Sequence, residues 1–102
     1  MTTDTSKAVR LRSNIAIPPG ELLGEEIEAR GLSQKELATR MGRPKQLVNE
    51  IIQGRKRITA ETALDLELVL GIPAYLWVRL QGEYELTKAM IERKAAQSNN
   101  AD

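Results

Sequence analysis

The 102-residue sequence contains no cysteine, no histidine and no phenylalanine. Without cysteine, neither a disulfide framework nor a thiolate metal site can form. Without histidine, zinc triads, the serine–histidine relay and every imidazole base are excluded. Acid–base chemistry is left to carboxylates such as Asp65 and Glu67, which read as a solvated stripe of one helix, so no catalytic residue, metal or cofactor is expected. Aromatic residues are only 3% of the chain, so a core must come from aliphatic side chains and helix formers, which favours an all-α domain. Uninterrupted apolar stretches reach only a few residues, and no apolar signal core follows the N-terminal charges. A cytoplasmic protein without a membrane partner is expected.

The net charge of +1 conceals an uneven distribution. Residues 40–57 hold six basic side chains (Arg40, Arg43, Lys45, Arg55, Lys56 and Arg57) against one acid, Glu50, while residues 58–102 hold four bases against seven acids. A positive field concentrated on one short segment is the footprint of a polyanion partner, and a solvated basic loop is the plain alternative.

Punctuation along the chain predicts five helices between a flexible tail over residues 1–17 and a disordered tail over residues 97–102. Pro18-Pro19-Gly20 opens the first helix, whose inward residues are Leu22, Leu23 and Ile27 and which Gly31 closes. Ser33 and Glu36 stand at capping-box spacing before the second, which Gly42 stops. Pro44 fits the first position of the third, and Gly54 ends it. Thr59 caps a fourth that ends at Gly71, and Pro73 begins a fifth reaching about Lys94. On the wheel of the third helix, Leu47, Val48, Ile51 and Ile52 fall on one side and Lys45, Gln46, Asn49 and Gln53 on the other.

Two short helices joined by a glycine turn, the second polar and amide-rich outside, form a helix-turn-helix unit. Ala38 is small where the helices approach, and Leu37, Met41, Val48 and Ile51 are apolar where their angle is locked. The third helix then lies in a major groove, where Gln46 and Asn49 are the leading base readers, with Lys45 and Gln53 beside them. Long Glu and Lys residues would serve an ordinary solvated face as well, so amides there point to readout. Arg55, Lys56 and Arg57 follow the reading helix and suit the flanking phosphates, and Arg43 leans outward toward a phosphate as well. The fifth helix carries two apolar stripes: Leu76, Trp77, Leu80, Tyr84 and Ile91 for the core, and Tyr75, Val78, Gly82, Leu86 and Ala89 for a dimer or partner contact.

From Pro18 to about Tyr84 the chain resembles the HigA-type helix-turn-helix antitoxins within the XRE-like repressor group. The matching motifs are Pro19-Gly20-Glu21, Leu32-Ser33-Gln34-Lys35-Glu36-Leu37-Ala38, Val48 to Gly54, Ile58 to Leu64 and Leu70 to Trp77. The resemblance implies a five-helix lambda-repressor-like domain over residues 18–96. It also implies a homodimer on double-stranded operator DNA, and a RelE-like mRNA-cleaving toxin as partner. Gln34 matches the family position at the start of the second helix that contacts backbone phosphate. The Gly42-Arg43-Pro44 variant also resembles the DNA-binding module of metallopeptidase-fused regulators, which implies the alternative of a regulator with no toxin partner.

Overall fold

In the computed structural model residues 15–100 are described, with side chains through Ser98. They form α1 (Pro19–Ala29), α2 (Gln34–Met41), α3 (Lys45–Ile52), α4 (Ala60–Leu70) and α5 (Ala74–Asn100), with no strand among the described residues. The chain divides into two units: residues 18–81, and a second made of residues 1–17 with 82–102.

Each helix of the first unit begins and ends where local chemistry favours it. Pro19 supplies a preset φ at the start of α1. The Ser33 hydroxyl accepts from the Glu36 N–H while the Glu36 carboxylate accepts from the Ser33 N–H, both at 3.0 Å, which satisfies two first-turn donors of α2 reciprocally. Gly42 takes φ 71° and ψ 31°, a left-handed conformation that lets the chain turn at once toward α3. Pro44 is not the first residue of α3 but its cap: its φ of −64° suits a helix, yet its ψ of 144° is extended, and the helix begins at Lys45. Thr59 accepts from the Thr62 N–H to open α4, which closes at Gly71.

The core of this unit is aliphatic apart from one indole. Leu23 and Ile27 of α1 meet Leu37, Ala38 and Met41 of α2, Val48 and Ile51 of α3, Leu66 and Leu70 of α4, and Trp77 of α5. Leu22 is only half-buried. Trp77 is fully buried, and its indole N–H has no hydrogen-bond partner among the described residues. Gln81 is buried too, with its carbonyl accepting from the Ile58 N–H at 2.9 Å, which ties the segment before α4 to α5. The α4 helix turns Thr62, Ala63, Leu66 and Leu70 inward and leaves Leu64 and Leu68 exposed.

Beyond Gln81 the second unit is the remainder of α5, where Tyr84 and Thr87 are half-buried and Leu86, Met90 and Ile91 exposed. The helix runs past Lys94 through Asn100, so the backbone of residues 97–100, expected as part of a disordered tail, is helical. No glycine or proline follows Gly82, and Ala95 and Ala96 favour continuation. The expected tails at residues 1–14 and 101–102 lie outside the described residues. Among the described residues no helix is long and apolar enough to cross a membrane.

Candidate nucleic-acid interface

The placement of α3 starts with a close backbone approach. At Gly20 a Cβ atom would lie 1.7 Å from the Ile51 carbonyl oxygen, so only glycine allows α1 to meet α3 there. Val48 and Ile51 are buried beneath α3, with Leu47 and Ile52 half-buried at its flanks. This fixes which side is left for a ligand.

On that side Lys45, Gln46 and Gln53 are exposed and Asn49 is half-buried. Asn49 does not stand alone: its Nδ2 donates to Gln34 Oε1 at 3.0 Å, linking the first residue of α2 to the middle of α3. A primary amide has two N–H donors and a two-lone-pair carbonyl, so the bond to Gln34 leaves the Asn49 carbonyl and one N–H with hydrogen-bonding capacity. Gln34 likewise retains its own amide N–H groups, suited to a phosphate oxygen. Arg55, Lys56 and Arg57 are exposed in the loop after α3, and the Arg55 guanidinium donates to the Gln53 carbonyl. The outward face of α3 and the basic loop are thus joined at their boundary.

Two further residues shape the site. Arg43, expected to lean toward a phosphate, pairs through its Nε with the Asp65 carboxylate at 2.8 Å, pinning the segment after the Gly42 turn to α4. Asp65, expected in a solvated stripe, is that pair's half-buried partner. Glu36 is held below its ordinary 4.5 chiefly by the hydrogen bond from the Ser33 backbone, helped by the Ser33 hydroxyl and the Arg40 charge. Its carboxylate stays ionised as a cap.

Neither the role of Gly20 nor that of Asp65 was anticipated from the sequence. A glycine in the first turn of a helix, where almost any residue forms helix better, is the signal that would have flagged the first. No sequence signal marks the second. The expected contact stripe of α5 is exposed in each unit: Tyr75 and Val78 in the first, Gly82, Leu86 and Ala89 in the second.

An eight-residue helix with amides and a lysine outward, followed by three exposed cations, offers directional hydrogen bonds beside a positive field. That combination suits base edges flanked by phosphates. Comparison with known proteins points the same way. Residues 23–77 match the helix-turn-helix family. Virulence-associated protein I of Dichelobacter nodosus is 37% identical over 81 residues, which are 78% of this chain and 75% of that protein. An addiction module antidote protein of a HigA family from Coxiella burnetii superposes with a TM-score of 0.72 at 32% identity, covering 85% of this chain and 94% of that one. The Pseudomonas aeruginosa antitoxin HigA, solved with the higBA promoter, superposes with a TM-score of 0.72 at 29% identity, covering 86% of this chain and 92% of that one.

Proposed function

Because the chain belongs to the helix-turn-helix family, in its XRE-like group, we propose that it is a cytoplasmic, sequence-specific transcriptional repressor that binds operator DNA as a homodimer. In this reading it is the antitoxin of a toxin–antitoxin pair, controls its own operon and neutralises a RelE-like mRNA-cleaving toxin. The observation that carries the DNA part is the outward face of α3: Lys45, Gln46 and Gln53 exposed, and Asn49 aligned by Gln34, with Arg55, Lys56 and Arg57 directly after it. The likeness to an antidote protein and to an antitoxin solved with a promoter supports the setting.

In the major groove, Gln46 and Asn49 each present a carbonyl and an N–H, the pair that adenine's N6 and N7 require, and Lys45 reaches guanine acceptors. Gln34, Arg55, Lys56 and Arg57 hold the flanking backbone. Arg43 acts on phosphate through the guanidinium nitrogens that Asp65 leaves over. The exposed stripe of Tyr75, Val78, Gly82, Leu86 and Ala89 serves the dimer or the toxin.

Selection of bound duplexes from random DNA, followed by titration at several salt concentrations, tests this. Affinity should fall steeply with salt. Gln46→Ala should weaken operator binding by roughly 1–3 kcal/mol and relax preference at one position per half-site. Arg55→Ala should weaken all sequences alike and lower the salt slope by about one. Equal losses on operator and random DNA in Gln46→Ala would refute base reading. A salt-independent affinity would refute the electrostatic contact.

A further inference from the structure

Arg43 stands where the closure of a helix ordinarily places an apolar residue. Gly42 takes the left-handed conformation behind α2 and the Arg43 N–H donates to the Ala38 carbonyl at 2.9 Å, a closure in which the side chain after the glycine packs on the last turn as a hydrophobe. Here that side chain is an arginine. Its backbone is fixed on both sides, by that hydrogen bond and by Pro44, which restricts the residue before it. Its guanidinium is fixed as well, because Nε donates to Asp65 Oδ2 at 2.8 Å, the two side chains being 37% and 25% exposed. Stability does not explain the choice: a partly exposed ion pair contributes little, and apolar residues filling the same space serve a fold at least as well.

We propose that Asp65 is a positioning residue for DNA binding: it holds Arg43 so that the far end of the guanidinium meets a phosphate beside the first turn of α3. The proposal rests on the DNA-binding reading above and gives an acid a favourable part in it. Asp65 takes the Nε–H, which leaves both terminal nitrogens for two parallel hydrogen bonds to one phosphate. The neighbourhood suits an anion. Pro44 caps α3 without a side-chain hydrogen bond, the first turn contains no acid, and Lys45 and Gln46 are exposed directly after it. A carboxylate near DNA also repels it, so two opposed effects must be weighed. Ordering an unrestrained arginine on binding weakens affinity by roughly two- to tenfold, a cost avoided when Asp65 already holds the side chain. Repulsion across the width of a guanidinium, partly in water and screened at physiological salt, weakens it by less than about twofold. Positioning outweighs repulsion, and Asp65 strengthens the binding of a polyanion.

Titration of the full chain against a duplex selected from random DNA, and against a random-sequence duplex, decides it with Arg43→Ala, Asp65→Ala, Asp65→Asn and the Arg43→Ala/Asp65→Ala double variant. Urea unfolding of each variant gives its folded fraction, so every affinity refers to folded protein. Arg43→Ala should lower the salt slope by about one. Asp65→Ala should weaken binding to both duplexes by about fivefold, whereas Asp65→Asn, whose carbonyl still accepts from Nε, should stay within about twofold of wild type. In the Arg43→Ala background the effect of Asp65→Ala should change sign, leaving affinity equal or up to about twofold tighter, because only the repulsion is then removed. Unchanged or tighter binding by Asp65→Ala alone would overturn the proposal, since the acid would then do nothing or merely repel. A loss confined to the selected duplex would overturn it too, because the pair would then act by setting the angle of α3 and not by holding a phosphate contact. Failure of the DNA reading looks different: the wild type itself would bind with no dependence on salt, and both readings would fall together.

Discussion

Helices α2 and α3 have the same length, eight residues, and are held by opposite means. The α2 helix is closed by its own sequence neighbours, with a reciprocal cap at Ser33 and Glu36 in front and a left-handed Gly42 behind. The α3 helix has an extended proline at its cap with no side-chain hydrogen bond, and no acid in its first turn. What holds it comes from elsewhere in the chain: the Gly20 backbone beneath Ile51, the buried Val48 and Ile51, and Gln34 reaching across to Asn49. A helix whose outer side and first turn must stay available to a ligand is better positioned from behind than closed at its own end. An acidic first turn would also repel the phosphates that α3 is proposed to approach.

Gly20→Ala breaks the comparison hardest, because it strikes the backbone contact between α1 and α3 on which α3 is seated. With a carbonyl oxygen 1.7 Å from the added carbon, α1 and α3 must part, so urea unfolding should show a loss of about 3 kcal/mol and operator affinity should fall with it. Unchanged stability would mean that α3 is not seated on α1. Ser33→Ala strikes α2 instead and should lower stability by about 1 kcal/mol, with the affinity of the folded protein for DNA little altered. Asp65→Asn removes a half-exposed ion pair at the turn joining the two helices, and should lower stability by about 0.5 kcal/mol. The smallest effect is acid titration of the α2 cap. Folding holds Glu36 below its ordinary 4.5, so its stabilising contribution is complete above that pH and is lost as pH falls through the lower folded value. Glu36→Gln should flatten that part of the stability profile, and an unchanged acid limb would show that the carboxylate contributes nothing there.

What could be read from the sequence follows the same division. Ser33 with Glu36, Thr59, Gly42 and Gly71 act over three or four residues, so their roles were legible from spacing, as was the two-sided pattern of α3 that sends Lys45, Gln46 and Gln53 outward. The Gln34–Asn49 and Arg43–Asp65 contacts join positions 15 and 22 residues apart, and depend on an interhelical angle that no local pattern encodes. Pro44 shows the limit of local signals, since its φ fits both a cap and a first helical residue, and only ψ separates them. On α4, apolar residues occur on several sides, so the pattern did not reveal that Leu66 and Leu70 turn inward while Leu64 and Leu68 face out. The extension of α5 through Asn100 was missed because polar residues of good helix propensity read equally well as a frayed end.

The buried indole of Trp77 makes the molecule its own optical gauge. It is the single tryptophan of the chain, fully enclosed, with its N–H donating to no described group. An indole in apolar surroundings without a polar partner emits at the short-wavelength end of its range and moves to longer wavelength in water. Its emission therefore follows the opening of the core of residues 18–81, and the distal part of α5 can melt or change partners without contributing a tryptophan signal of its own.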